Sequence, residues 1–98
     1  MIVRIVKLTF QEQHVAAFLE IFEESKTQIR ASDGCKLVEL YRDETNTVIF
    51  FTYSYWDDAA DLEKYRNSEF FKSVWAKTKV LFSEKPEAWS VNKLESLT

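Results

Sequence analysis

The stretch Asn46-Thr47-Val48-Ile49-Phe50-Phe51-Thr52-Tyr53-Ser54-Tyr55-Trp56 decides the fold. It is almost entirely β-branched or aromatic, and it stops at Asp57-Asp58, a pair suited to cap a helix. Alternation places Phe50, Thr52, Ser54 and Trp56 on one face of a strand and Ile49, Phe51, Tyr53 and Tyr55 on the other. Neither face is polar enough to rest against water. A strand apolar on both sides must be covered on both, and 98 residues with two helical regions hold material for one cover. The second cover is expected from another copy of the chain.

The sequence outside this strand agrees. Residues 2–8 form a first strand, with Ile2, Arg4, Val6 and Leu8 on one face and Val3, Ile5 and Lys7 on the other. Thr9-Phe10-Gln11-Glu12 fits a capping box, and Val15, Phe18, Leu19, Phe22 and Ile29 follow at helical spacing. The predicted helix runs about five turns and ends near Ala31 or Ser32. Gly34, the only glycine, lies just beyond it, where a left-handed backbone is most useful. A second strand spans Cys35–Tyr41, and the polar segment 42–46 predicts a hairpin to the third.

After Trp56, Ala59, Leu62 and Tyr65 mark a short helical segment. Asn67-Ser68 caps a second, with Phe71, Val74, Trp75, Thr78, Leu81 and Phe82 on one stripe, and Pro86 blocks continuation. A last strand, Glu87–Leu94, puts Ala88, Ser90 and Asn92 on one face and Trp89, Val91 and Lys93 on the other. The order is β-α-β-β-α-β: an α+β, ferredoxin-like antiparallel sheet with both helical regions on one face, in one domain over residues 1–98.

Composition narrows the function. Hydrophobic residues make up 46% and aromatics 15%, enough for a core, while one glycine and one proline argue for long regular elements and against disorder. A net charge of −3 without a basic stripe argues against nucleic acid. The longest uncharged run, Thr45–Trp56, is a strand's length and not a membrane span, and no leader pattern opens the sequence. With a lone cysteine, Cys35, these features point to a soluble cytoplasmic protein. No metal-ligand spacing, glycine-rich phosphate loop or serine-nucleophile motif is present.

Length, element order, the Gly34-Cys35 pair opening the second strand and Trp56 closing the third together resemble the antibiotic biosynthesis monooxygenase (ABM) domain. Such domains typically carry a leucine six residues after the tryptophan, a serine twelve after it and a phenylalanine fifteen after it; Leu62, Ser68 and Phe71 match. The resemblance implies a dimeric α+β barrel: protomers joined sheet to sheet, each with a pocket between sheet and helices. It also implies oxygenation without a cofactor, of a small aromatic, quinol-like or polyketide-like substrate.

Several positions depart from the family's pattern. Where many members have histidines nine and fourteen residues after the tryptophan, Tyr65 and Phe70 stand here. The positions that match the haem-degrading branch's asparagine, tryptophan and iron-ligating histidine hold Val6, Tyr65 and Trp75, which argues against haem. Thr52 stands where the anthrone-oxidising branch has an asparagine.

Cofactor-free oxygenation needs a dry, aromatic-walled pocket, a path for a proton and donors to hold an anion. Tyr65, Trp56 and Thr52 are the candidate catalytic donors, and Arg4, Val6, Leu62, Phe71 and Trp75 the candidate substrate contacts. Each also has a plainer reading. Trp56, Phe71 and Trp75 suit core packing, Tyr65 an ordinary half-buried helix position, and Arg4 an interfacial ion pair with Glu39. His14 reads as a surface residue, and Cys35 as a buried structural thiol. The alternative function is a dimeric small-molecule-binding protein that keeps the fold without the chemistry; an isomerase or decarboxylase is a third.

Overall fold

A computed structural model describes residues 1–98. Four antiparallel strands, β1 (Ile2–Thr9), β2 (Cys35–Arg42), β3 (Ile49–Trp56) and β4 (Glu87–Asn92), form one sheet in the order β2-β3-β1-β4. Three helices, α1 (Val15–Arg30), α2 (Ala59–Arg66) and α3 (Glu69–Lys79), lie on one side. The α+β, ferredoxin-like arrangement expected from the sequence is the one observed, and the deciding stretch pairs with a neighbour on each edge.

Several boundaries differ from expectation, the last strand among them, which ends at Asn92 and not at Leu94. The first helix does not open on a Thr9 capping box. Thr9 stays in the ladder opposite Ile49, Phe10 donates its N–H to the Val48 carbonyl, and Gln11 donates to Leu81. With those backbone groups committed to neighbouring strands and loops, the helix starts later, through a 3₁₀ turn at Glu12–His14 without a side-chain cap. At the other end, α3 stops at Lys79, and Phe82 leaves the helical stripe to form a β-bridge with Phe10. The two rings stack at 5.2 Å. In the third strand Val48 belongs to the preceding turn, so β3 starts at Ile49. The caps on the later helices are as read: Asp58 accepts from the Ala60 N–H at 3.0 Å, and Ser68 from the Phe71 N–H at 3.1 Å.

Register explains the two faces. Cys35 and Leu37 oppose Trp56 and Tyr55, so Lys36 is the extra residue of a β-bulge. The bulge lets Cys35 and then Val38 and Leu40 face the helices, and turns Leu37, Glu39 and Tyr41 to the open side. Three rows cross that open side: Leu37–Tyr55–Val3–Val91, Glu39–Tyr53–Ile5–Trp89 and Tyr41–Phe51–Lys7–Glu87. Tyr41, Trp89 and Val91 remain 51%, 44% and 41% exposed there.

Gly34 enters the bulge with φ +78°, and its carbonyl accepts the Asp57 N–H at 2.8 Å. A β-carbon at this position would run into the Asp61 side chain. Gly34→Ala should therefore destabilise the fold by about 1–3 kcal/mol from left-handed strain and overlap together. Urea unfolding checks it, and Asp61→Ala in the same chain should restore only the part due to the carboxyl group, because the Asp61 β-carbon also stands in the way and alanine keeps it.

Under the helices the packing is divided. Leu8, Phe10, Phe18 and Phe50 form one buried cluster, with Phe10 stacked on Phe18 at 4.3 Å. Cys35, Trp56 and Leu62 form a second. Between them the helix-facing rows are Leu40–Thr52–Val6–Ala88 and Val38–Ser54–Arg4–Ser90. Threonine, serine and alanine are too small to fill the space that the phenylalanines and tryptophan fill on either side. A cavity results.

Candidate functional site

The cavity has a volume of about 350 Å³, is bounded by the sheet's helix-facing rows and all three helices, and opens to solvent along β4, where Ala88 is exposed. Every candidate read from the sequence lines it: Thr52, Trp56, Tyr65, Arg4, Val6, Leu62, Phe71 and Trp75. Residues from β1, β3, α2 and α3, up to 71 positions apart in the chain, thus meet at one site. His14 and Cys35 do not border it.

The walls are aromatic. Trp56 is 1% exposed and stacks on Tyr65 at 5.0 Å; Tyr65 meets Phe71 edge to face at 5.1 Å, and Phe71 lies parallel to Trp75 at 6.1 Å. This continuous run joins β3 to the middle of α3. It follows from spacing on the helices, since Phe71 and Trp75 are one turn apart and Leu62 and Tyr65 share a face.

The floor is polar in one band. The Trp56 indole N–H donates to the Ser54 hydroxyl at 3.0 Å, so the indole donor is committed to a neighbour rather than open to a ligand. Ser54 keeps its own hydroxyl proton for donation. Arg4 donates from Nη1 to the Ser90 hydroxyl at 2.9 Å. Arg4 does not pair with Glu39: the two lie on opposite faces of the sheet, and Glu39 instead accepts from the Tyr41 hydroxyl at 2.6 Å. Ser25 and Thr78, also at the cavity, donate to carbonyls of their own helices. No buried side-chain nitrogen or oxygen lacks a partner.

Among lining groups that titrate, none is a carboxylate or a histidine. Burial, with a smaller contribution from Cys35, pushes the Tyr65 phenol up to about 12. At neutral pH Tyr65 is a hydrogen-bond donor and not a base. The shift also carries a stability prediction. Between pH 10 and 12 the folded chain holds a proton that the unfolded chain has released, so stability is full below 10 and falls as pH rises towards 12. The loss should amount to about 2–3 kcal/mol and be missing in Tyr65→Phe, as denaturation at pH 9 and pH 11.5 would show. No group of three or more His, Cys, Asp or Glu side chains is placed to hold a metal ion. Cys35 is buried, and its burial pushes the thiol above its ordinary value, as suits a structural role.

The sequence itself matches the antibiotic biosynthesis monooxygenase family over residues 1–77. The chain belongs to that family. Solved structures agree on the ABM fold. A candidate antibiotic biosynthesis monooxygenase from Caulobacter crescentus superposes with a TM-score of 0.89 at 19% identity, covering 96% of this chain and 90% of that one. Another from Nitrosomonas europaea gives a TM-score of 0.90 at 15% identity over 97% of this chain and 100% of that one. A conserved protein from Methanosarcina mazei gives 0.88 at 19% identity, with 95% and 93% covered. Among functionally curated proteins no sequence matches it.

Sequence reasoning missed parts of this ABM cavity. Ser54, Ser90 and Arg66 line it or tie its floor, and α1 supplies Phe18, Ile21, Phe22, Ser25 and Ile29. A usable signal existed for the serines: small residues at alternate positions of otherwise bulky strands. The cavity-facing stripe of α1 could not be told from a core stripe, because both are apolar at the same period. No helix of the chain is long and apolar enough to cross a membrane.

Proposed function

We propose that this ABM protein is a cofactor-independent monooxygenase acting in the cytoplasm on a small, electron-rich aromatic such as a quinol, an anthrone or a related polyketide. The observation that carries the reading is the aromatic-walled cavity with hydroxyl donors on its floor. A flat ring system would lie against the wall that Trp56, Tyr65, Phe71 and Trp75 form, with Val6 and Leu62 adding apolar contact. Because no lining residue is a base, the substrate must ionise readily by itself, its proton leaving to water. The anion then reduces O2 and takes up one oxygen atom; a methylene carbon becomes a carbonyl, and the second oxygen leaves as water with the two hydrogens. Thr52, Ser54 and Tyr65 would hold the anion by donation, and the apolar walls would keep bulk water from the reacting carbon.

The protomer is proposed to work as a homodimer joined through the open sheet faces. Tyr41, Tyr53, Tyr55, Trp89 and Val91 form an aromatic and aliphatic layer that a second copy would cover.

The absence of a base favours a second reading, a binding protein on the same scaffold. Oxygen uptake with a panel of hydroquinones and anthrones in chelator-treated buffer separates the two. The monooxygenase reading expects uptake clearly faster with protein, and at least about tenfold slower with Tyr65→Phe. Binding of the panel without turnover supports the second reading. Turnover unchanged by both Tyr65→Phe and Trp56→Phe overturns the assignment of these residues.

A further inference from the structure

We infer that the cavity selects aromatic molecules bearing a permanent anionic group, a carboxylate or its equivalent, which Arg4 receives with help from Arg66. This rests on the cavity being the ligand site, as proposed above, and adds the charge of what enters it. Both arginines line the cavity, whose walls are otherwise mostly apolar. Arg4 projects from the middle strand of the floor, and its only side-chain bond within the chain is to the neutral Ser90 hydroxyl. No carboxylate lies within salt-bridge distance of it. Arg66 has one acidic neighbour, Glu63, whose Oε2 stands 3.5 Å from Nη1 and whose other oxygen accepts from Asn67 at 3.1 Å.

The charge count at this end of the cavity is two guanidinium groups against one carboxylate. A guanidinium has five N–H donors and stays protonated, so Arg4 keeps donors that no protein acceptor occupies. Partial burial, and then the positive charge of Arg66, hold Arg4 below its ordinary value, while Glu63 pulls weakly the other way. A cation taken partly out of water without a counter-charge is costly, and an arriving anion offsets that cost while a neutral ligand does not. A planar carboxylate also matches the guanidinium fork, and a ring attached to it would extend towards Trp56, Tyr65 and Phe71.

Matched probes test the inference: 2-naphthoate against 2-naphthamide, nearly equal in shape and differing in charge, with binding followed by calorimetry. The wild-type chain should bind the carboxylate at least about tenfold more tightly, in line with charge-assisted hydrogen bonds. Arg4→Met should bring the ratio close to one, Arg4→Lys should keep part of it, and Arg66→Met should reduce it partially. Circular dichroism melts establish that each variant is folded; should Arg4→Met not fold, Arg4→Lys and Arg66→Met carry the same comparison. Equal affinity of the wild type for the two probes overturns the inference and leaves the monooxygenase reading standing, since oxygen uptake with neutral quinols is a separate measurement. If neither probe binds at millimolar concentration, the inference and the assignment of the cavity as a ligand site fall together. A preference that persists in Arg4→Met and Arg66→Met alike overturns the assignment of these two residues.

Discussion

Trp56→Ala is expected to cost about 3–5 kcal/mol of stability, the range for truncating a large aromatic in a packed interior. A domain of this size has only about 5–15 kcal/mol in total, so the variant should be barely folded at 37 °C. The side chain is 1% exposed, belongs with Cys35 and Leu62 to one of the two buried clusters, and stacks on Tyr65. Its removal would leave an apolar hole at the end of β3 and free Tyr65 to move. Trp56→Phe retains an aromatic body and loses the bond to Ser54, and should recover roughly half of the loss. Chemical denaturation measures both. A loss below about 1 kcal/mol for Trp56→Ala would mean that the site collapses onto its neighbours, contrary to its part in holding the cavity open.

Trp89→Glu is expected to leave the protomer folded and to weaken the proposed dimer by two or more orders of magnitude. The side chain is 44% exposed on the open face, so nothing inside the protomer depends on burying it. Across the sheet it faces Ile5, and Tyr53 and Glu39 continue the row. In a covered interface the new carboxylate would lack a partner and sit on an aromatic layer, a change that costs about 2–5 kcal/mol. Sedimentation velocity across micromolar dilutions should show the wild type at twice the protomer mass and the variant at one. A wild-type chain that sediments as a stable protomer at those concentrations would refute the covered-face argument itself.

Much of the fold was legible because its signals are local. Alternation in β3 and the Asp58 and Ser68 caps each act over a few residues, and the structure places them as read, whereas Pro86 is not what ends α3, which stops at Lys79. What failed depended on distant partners. Thr9 resembles a helix cap until Ile49 is seen opposite it, and Phe82 resembles a helical position until its β-bridge to Phe10 is known. The bulge at Lys36, which settles what each face of β2 presents, gives no sequence sign beyond the preceding glycine. For the site, the family resemblance pointed to Trp56, Tyr65, Phe71 and Trp75, which spacing alone reads as core, and the structure brings all four to one cavity. Arg66 escaped notice because an arginine at the end of an amphipathic helix ordinarily faces solvent. Arg4 was noticed and given a partner on the wrong side of the sheet, an error that pairing with Ser54 and Ser90 removes.

The two plugs of apolar side chains at either end of the helix-covered space, with short side chains between them, have a consequence for how such a protein can change. The ends carry the rigidity, so Thr52 and Ala88 can change in size at little risk to the scaffold, while Ser54 and Ser90 are held to a polar role by Trp56 and Arg4. An exchange at one of these two floor positions would thus change what the hollow admits while leaving its supports in place.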